Sequence, residues 1–379
     1  MKRVFMFVNV DWFFQSHRRC IAKAANTNNI DMSVYTDFTR HHETSDQTGF
    51  NLIQSPIGRS SKYLGAVFVE FVKCYLLILK LKPDLIHAVT IKPMMLMGVV
   101  ARLTGTRFVA AVSGLGPVFA PTKWHHKFRL KLVIWIYRFI FNARLSAVIC
   151  QSEHDKSVLL ESNICSEFQI SIIEGSGVDL DRYSPDNSTE KFGGYVLMAS
   201  RILADKGVRE FCGSAKDYID KGGRGVKFKL AGPIDHLSPT AISEEEIRQL
   251  CKESGVDYLG NRDDLDVLLA SALIFVLPSY YPEGIPKVLL EAAACGTPVI
   301  TTNHPGCRDA VVDGVTGILV QPRDTKALSL AVSRLLSTPE TLFSMAKAGR
   351  EMAIARFDER KVIEGHYQIY NRYLNDMVD

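Results

Sequence analysis

The stretch S-Y-Y-P-E-G-I-P-K-V-L-L-E-A-A-A-C-G-T-P-V-I, residues 279–300, decides the fold of this chain. It follows an apolar run, Leu273 to Leu277, that is typical of a buried parallel strand. A helix is predicted from Lys287 to Cys295, with Pro286 at its first position and a glycine just past its end. Val299 to Thr302 is predicted to be the next strand. This order predicts a parallel α/β sheet, and the loop lies at the carboxyl end of a strand, where such sheets bind ligands.

Two carboxylates, Glu283 and Glu291, frame this loop. The free N–H groups at the predicted helix start favour an anion such as a phosphate beside Glu283. Glu291 lies on a helix that is otherwise apolar, so we expect its side chain to be buried. A buried carboxylate needs a specific partner, and a ribose diol would supply two hydroxyl donors. The alternative is a simple ion pair with Lys287, one helical turn earlier.

The pattern E-G-I-P-K-V-x-x-E-A-x-A-x-G-x-P-V resembles the E-x7-E signature of the family 4 glycosyltransferases, which are retaining enzymes of GT-B fold. The resemblance implies that Glu283 contacts the donor sugar and that Glu291 holds the nucleotide ribose. It also implies that the backbone between them contacts sugar and phosphate. The donor-binding residues expected on this basis are Gly284, Ile285, Pro286, Lys287 and Val288.

A cationic motif lies upstream, after the predicted strand Tyr195 to Ser200. Arg201 and Lys206-Gly207 form an R-x4-K-G pattern that resembles the diphosphate-binding pair of the same family. Arginine offers a rigid fork of donors and lysine a point charge, and both suit a diphosphate. The resemblance implies that the two side chains stabilise the departing diphosphate during transfer with retention. Arg262 follows a further strand, where family members hold the base, mostly by backbone.

The first half of the chain carries the expected acceptor residues. The start of the chain predicts strand Lys2 to Val10, a loop at Asp11 to Phe14, and a helix from Ser16 to about Ala25. His17 begins that helix at the ligand-binding edge of the sheet, either as an acceptor contact or with one backbone hydrogen bond. W-F-F-x-S-H-R resembles the start of a bacterial polysaccharide-assembly subgroup of family 4, whose members transfer sugars to lipid-linked intermediates.

A second acceptor segment, Ser113-Gly114, follows the predicted strand Arg107 to Val112. Many family 4 members carry a histidine near this place, and this chain does not. The departure leaves the identity of any general base open, and His17 is the candidate to take part of that role.

Two Asp-x-Asp patterns could suggest a metal site, at Asp179–Asp181 and at Asp264–Asp266. The first lies in G-V-D-x-x-x-Y before a proline and resembles the linker of family 4. The second begins a predicted helix, where acidic residues stabilise the helix dipole. We therefore expect no metal and no cofactor besides the nucleotide-sugar cosubstrate.

Composition describes a globular chain with a charge asymmetry. The 379 residues carry a net charge of +4, and residues 1–185 hold 22 Lys+Arg against 14 Asp+Glu, a net of +8. The basic half should face something anionic. The eight cysteines form no C-x-x-C pair, which favours a reducing cytosol. The apolar run at the start of the chain is shorter than a signal peptide requires. No apolar run in the sequence is as long as the about 18 residues that a membrane-spanning helix needs.

Two predicted helices combine basic and aromatic residues at helical spacing. In Lys123 to Arg144 the lysines at 123, 127 and 131 lie on one side, and Trp124, Phe128, Leu132, Trp135, Phe139 and Ile140 lie on another. Lys62 to Lys82 has the same character. The pattern suits binding to an anionic membrane surface, and it equally suits a packing helix with a solvated basic face.

These observations predict an α/β protein of GT-B fold, with two Rossmann-like doubly wound domains facing across a cleft. The predicted acceptor domain is 1–184, to which a helix at 358–379 crosses back, and the predicted nucleotide-sugar domain is 185–357. The predicted reaction moves a hexose or N-acetylhexosamine, from a UDP-sugar, to a polyprenyl-diphosphate-linked saccharide in surface polysaccharide synthesis. We expect the protein to lie at the inner face of the cytoplasmic membrane. We do not expect nucleic acid among its partners. A silent nucleotide-binding scaffold and a GT-B sugar-nucleotide epimerase are the alternatives.

Overall fold

The computed structural model describes residues 1–39, 49–58, 63–114, 119, 124–141, 145–185 and 194–375, and only the backbone of residues 64 and 124–129. Residues gather into two compact units. Unit 1 consists of Met1–Ser176 and Glu359–Asp379, and unit 2 of Gly177–Asp358. The predicted boundary between residues 184 and 185 lies inside unit 2.

The elements alternate between strand and helix along most of the chain. In chain order they are β1 Lys2–Val10, α1 Asp11–His17, α2 Arg19–Lys23, β2 Ile30–Asp37, β3 Asn51–Gln54, α3 Leu64–Leu81, β4 Leu85–Val89, α4 Ile91–Thr104, β5 Arg107–Ala111, α5 Trp124–Phe141, β6 Ser146–Cys150, α6 Glu153–Glu161, β7 Ile170–Ile172, β8 Tyr195–Ala199, α7 Val208–Asp220, β9 Lys227–Ala231, α8 Glu244–Ser254, β10 Val256–Tyr258, α9 Leu265–Ser271, β11 Ile274–Leu277, α10 Lys287–Ala294, β12 Val299–Thr302, β13 Gly317–Val320, α11 Thr325–Leu336, α12 Pro339–Arg356 and α13 Glu359–Asn375.

Each unit contains one parallel sheet with a reversal of strand order in its middle. The seven-stranded sheet of unit 1 runs β3-β2-β1-β4-β5-β6-β7, and the six-stranded sheet of unit 2 runs β10-β9-β8-β11-β12-β13. The order therefore reverses at β1/β4 in the first sheet and at β8/β11 in the second. Ligands of open α/β sheets bind at such switch points, beyond the carboxyl ends of the strands.

Apolar residues cover both faces of the sheet in unit 1. The core on one face includes residues of α1, α2 and α13, and the core on the other includes residues of α3, α4 and α5. In unit 2 one continuous core encloses the sheet and its helices. Strands buried on both faces explain why β1, β6, β8 and β11 appear in the sequence as nearly continuous apolar runs.

The C-terminal helix α13 belongs to unit 1, where it packs against α2, β4 and β5. Three tyrosine hydroxyls attach it to the unit. Tyr367 donates to the carbonyl of Ile21 at 2.8 Å, and Tyr373 donates to the carbonyl of Ser146 at 3.0 Å. Tyr370 lies 2.5 Å from Nδ1 of His87.

The segment after β1 differs from its prediction. Residues predicted to form a loop, Asp11 to Phe14, begin helix α1 directly, because the Asp11 carboxylate accepts from the N–H of Trp12 at 2.8 Å and Phe14 is buried. The predicted continuous helix from Ser16 is broken at Arg18, whose φ of −132° and ψ of −8° are not helical. Helix α2 then begins at Arg19.

Helix α10 begins at Lys287, as predicted, and helix α5 is described from Trp124. Pro286 is the N-cap of α10, with extended backbone, rather than its first helical residue. The long basic helix is α5, which begins at Trp124, and Lys123 lies outside the described residues. Within the described residues, no helix is long and apolar enough to cross a membrane.

Candidate active site

The loop after β11 carries the predicted donor residues, and hydrogen bonds hold its backbone in place. The Ser279 hydroxyl accepts from the N–H of Tyr281 at 3.2 Å, and the Thr302 hydroxyl donates to the carbonyl of Ser279. The N–H of Tyr280 donates to the carbonyl of Asp205 at 2.9 Å. These contacts join the donor loop to β12 and to the turn that follows β8, so the two segments at the switch point of unit 2 are fixed together.

Lys206 and Glu283, two of the predicted catalytic residues, form an ion pair. Lys206 belongs to the short 3₁₀ turn Ala204–Lys206 and is buried, whereas the Glu283 carboxylate is partly exposed. The hydroxyl of Ser279 lies 3.4 Å from the same carboxylate oxygen of Glu283. Residues 77 positions apart in the sequence therefore meet at this edge of the sheet.

Arg201, the other predicted diphosphate residue, lies beside the same pair. Its guanidinium is 2.9 Å from the Asp235 carboxylate. The Tyr281 ring is shared by both cations, since its centroid is 5.8 Å from the guanidinium carbon of Arg201 and 5.2 Å from Nζ of Lys206. Two positive groups, each paired with a carboxylate, thus lie over one aromatic ring at the β8/β11 switch point, and two adjacent cations suit a polyanionic ligand.

Two glycines make this packing possible. Gly207 has a φ of +81°, and a Cβ there would collide with the carbonyl of Pro278. Gly306 has a φ of +83°, and a Cβ there would collide with the carbonyl of Gly284, within the donor loop. Any other residue type would strain the backbone at both positions. The glycine of the R-x4-K-G motif is therefore required by the close approach of the two segments.

Glu291 is buried on α10, as predicted, with 7% of its surface exposed. Burial raises its pKa above the ordinary value, while Lys287 and a hydrogen bond from the Tyr183 hydroxyl oppose that rise. Burial and the Glu291 charge likewise raise the pKa of Tyr183. The carboxylate therefore faces a hydroxyl donor, the kind of group that a ribose presents.

The remaining donor residues follow the loop into the helix. Gly284, Ile285 and Pro286 are buried, and Lys287 and Val288 are partly exposed in the first turn of α10. Arg262 lies after β10 at the same edge of the sheet, but its side chain pairs with Asp264, with Nη2 and Oδ2 2.6 Å apart.

Both Asp-x-Asp patterns have partners within the chain. Asp179 accepts from the N–H groups of Asp181 and Arg182, both at 3.1 Å. Asp264 is the N-cap residue of α9 and pairs with Arg262, and Asp266 lies 3.3 Å from Arg182. In the described parts of the chain, no group of three or more His, Cys, Asp or Glu residues could hold a metal ion.

The predicted acceptor residues lie at the carboxyl edge of the sheet in unit 1. His17 is in the last turn of α1, stacked on Phe13 with ring centroids 4.2 Å apart, and its Nδ1 is 2.6 Å from the Ser16 hydroxyl. Ser113 lies two residues beyond the end of β5. One residue joins the two segments, because Arg18 donates to the carbonyl of His17 at 3.1 Å and to the hydroxyl of Ser113 at 3.3 Å.

The sequence prediction missed four residues of these sites: Arg18, Tyr183, Asp235 and Tyr281. Each acts through a contact that is distant along the chain, so no local spacing reveals it. Of the four, Tyr281 could most readily have been predicted from the sequence, because it lies directly before Pro282-Glu283, within the donor-loop motif.

The outer surface of α3, α4 and α5 carries apolar and basic side chains together. Helix α3 packs against α4, and α4 against α5. Trp135 on α5 is 66% exposed, and Arg102 on α4 lies over the Phe139 ring at 5.8 Å. The structure thus divides the predicted aromatic stripe, burying Ile140 and exposing Trp135. We call the exposed side chains of these helices the α3–α5 surface; they are Phe68, Val69, Lys73, Leu76, Leu79, Lys80, Arg102, Leu103, Lys131, Leu132, Trp135, Arg138 and Phe139.

Comparison with known proteins finds a glycosyltransferase family model that matches each half of the chain. The family model described as "Glycosyl transferases group 1" matches residues 182–352, and the model described as "Glycosyl transferase 4-like" matches residues 3–152. A relative from Campylobacter jejuni, an N,N'-diacetylbacillosaminyl-diphospho-undecaprenol alpha-1,3-N-acetylgalactosaminyltransferase, is 30% identical over 71% of each chain. A UDP-Gal:alpha-D-GlcNAc-diphosphoundecaprenol alpha-1,3-galactosyltransferase from Escherichia coli is 27% identical over 79% of this chain and 78% of its own.

The fold also matches a solved structure. Sucrose-phosphate synthase from Thermosynechococcus elongatus superimposes with a TM-score of 0.80 at 20% identity, covering 98% of this chain and 99% of its own. Fold and site together define a glycosyltransferase of GT-B fold, as predicted. More particularly, the chain belongs to the family 4 glycosyltransferases, the family that the E-x7-E segment indicates.

Proposed function

We propose that this glycosyltransferase moves a hexose or N-acetylhexosamine, with retention, from a UDP-sugar to a polyprenyl-diphosphate-linked saccharide during surface polysaccharide synthesis. The observation that carries the donor half is the cluster of Arg201, Lys206 and Glu283 around Tyr281. The acceptor half rests on the relatives, whose names describe undecaprenyl-diphosphate-linked saccharides as their substrates. The +8 charge of residues 1–185 suits such an anionic acceptor.

In this proposal the donor diphosphate binds between Arg201 and Lys206, which exchange their carboxylate partners for phosphate oxygens. Glu283 then becomes available to the hydroxyls of the sugar. The bond from the anomeric carbon to the diphosphate breaks as the acceptor oxygen attacks from the same face, and the acceptor proton passes to the departing diphosphate. The two cations stabilise the charge that develops on the leaving group.

A transfer assay with a radiolabelled UDP-sugar tests the proposal directly. We expect label to move to lipid-diphosphate-linked saccharides and not, or far more slowly, to the same saccharides free in solution. His17→Ala should depress transfer while donor binding is unchanged, because the proposed donor residues are all in unit 2. Equal transfer to free saccharides would refute the acceptor assignment. Epimerised donor without transfer would support the epimerase alternative, and no turnover at all would support the scaffold.

We also propose that transfer needs no divalent metal. Arg201, Lys206 and the start of α10 offset the diphosphate charge in this arrangement. The expected result is full activity after treatment with a chelator and gel filtration. Loss of activity that manganese or magnesium restores would contradict it, and recovery with either ion should be measured in the same preparation.

The α3–α5 surface is proposed to bind the inner face of the cytoplasmic membrane. Exposed aromatic and basic side chains on adjacent helices suit the interface between lipid headgroups and acyl chains. Each basic residue near an anionic surface contributes about 1 kcal/mol. Of the predicted contacts, Lys131 is exposed on α5, Lys123 lies outside the described residues, and so do the side chains of Trp124 and Lys127.

Vesicle sedimentation tests this surface. Trp135→Ser should weaken binding to anionic vesicles by about tenfold, because a large apolar side chain no longer enters the interface. Replacing Lys123, Lys127 and Lys131 by glutamate should release the protein. Phe343→Ser is the matched control, since Phe343 is 74% exposed on unit 2 and should leave binding unchanged. Equal sedimentation of the wild type and both α5 variants would argue against this surface.

A further inference from the structure

Arg18 is a buried cation in unit 1 that the proposed chemistry does not use. Only 2% of its surface is exposed. Its guanidinium donates to the carbonyl of His17 and to the hydroxyl of Ser113, and both acceptors are neutral. Among the residues that the structure describes, no carboxylate pairs with Arg18, and its Nε has no hydrogen-bond partner. Burying a charge without a counterion is costly, so the position of Arg18 calls for an explanation.

The groups packed around Arg18 do not neutralise it. His366 donates from Nδ1 to the carbonyl of Val362 at 2.7 Å, because that oxygen can only accept, and the Nε2 of His366 is buried without a hydrogen-bond partner. His87 contacts the Tyr370 hydroxyl through Nδ1, and its Nε2 is also buried without a partner. Burial lowers the pKa of both histidines, and the charge of Arg18 lowers them further. Both imidazoles are therefore neutral near pH 7, and Arg18 is the charged member of the cluster.

The place of this charge in the fold is equally specific. Arg18 follows α1 at the carboxyl edge of the sheet, where the order of strands reverses between β1 and β4. It interrupts the helical backbone at this point and reaches Ser113, 95 residues further along the chain. Ser113 is partly exposed. A charge surrounded by apolar and neutral groups acts strongly on an anion nearby, since few other charges or waters screen it.

We propose that Arg18 and Ser113 form the phosphate-binding site of the acceptor, in which Arg18 supplies the positive charge for the acceptor diphosphate. The inference rests on the proposed function and makes it more specific, because it assigns recognition of the diphosphate, rather than of the sugar, to these two residues. Arg18 also holds the end of α1, so the same guanidinium places His17 relative to the bound phosphate.

The test compares two acceptors that differ only in the linkage, the same saccharide on a lipid diphosphate and on an uncharged ether lipid. In Arg18→Gln the ratio of kcat/KM for the charged acceptor to that for the neutral one should fall by about tenfold or more, because the weakly screened positive charge that acts on the acceptor diphosphate is lost. Arg19→Gln is the matched control, since it removes the same charge from the next, exposed position and should leave the ratio unchanged. A purely structural role for Arg18 would lower both rates together and keep the ratio constant, which would overturn the inference.

A wild-type enzyme with no preference for the charged acceptor would refute the acceptor part of the proposed function itself. If Arg18→Gln does not fold, as judged by circular dichroism, Ser113→Ala decides: a lowered ratio supports the site, and an unchanged ratio overturns it. An equal fall of this kcat/KM ratio in Arg18→Gln and Arg19→Gln would mean that only the net charge of the surface matters. That result would also overturn the inference.

Discussion

Replacing Lys206 by methionine is expected to lower kcat by about 10²- to 10³-fold, the size of effect seen when one preorganised group that stabilises developing charge is removed. Methionine keeps the unbranched apolar stem of the side chain and removes the ammonium group with its charge and its donors. The ammonium is buried next to Glu283 and Tyr281, so water cannot readily replace it. A steady-state transfer assay measures the loss.

Two controls separate this effect from damage to the fold. Lys221→Met removes an exposed lysine of the same unit, whose partner is Asp217, and should leave kcat unchanged. The double variant Lys206→Met with Glu283→Gln removes the carboxylate that the single variant leaves without its cation. If it recovers thermal stability without recovering activity, the loss is catalytic. A kcat of Lys206→Met within threefold of wild type would contradict the role assigned to Lys206.

The donor loop could be predicted from sequence because its determinants are local. A fully apolar strand, four prolines, a helix start and a glycine C-terminal to the helix all lie within residues 273–302, and each restricts its own backbone conformation. The predicted burial of Glu291 was correct for the same reason, since the other residues around it on α10 are apolar.

What could not be predicted depends on contacts that are distant along the chain. The break at Arg18 involves no proline or glycine, and the contact that Arg18 makes there joins it to Ser113, 95 residues further along the chain. Helix α1 has seven residues, too few for an apolar period to be distinguished from a loop, and Asp11 holds its start through contacts that reach Thr39. The pairing of Arg201 with Asp235 likewise requires two neighbouring strands, β8 and β9, to be aligned first.

Glu291→Ala is expected to weaken nucleotide binding by about 1–3 kcal/mol, the range for a lost buried hydrogen-bond acceptor. Burial raises the pKa of the Glu291 carboxyl, and interaction with the Tyr183 hydroxyl opposes that rise. A ribose at this place would present two hydroxyls to the same oxygens. Titration calorimetry with UDP measures the affinity, and the donor KM should rise in parallel.

The variant Tyr183→Phe shows which hydroxyl matters. It removes the internal donor but leaves the carboxylate of Glu291, so a ribose that takes over this hydrogen bond should bind at least as tightly as before. Glu340→Ala is the matched control, because it removes an exposed carboxylate from the start of α12 and should not change the affinity. If folded Glu291→Ala binds UDP as tightly as the wild type, Glu291 does not hold the ribose. Its interaction with Tyr183 would then be a structural contact between α10 and the segment that opens unit 2, and the loss on substitution would appear in thermal stability alone.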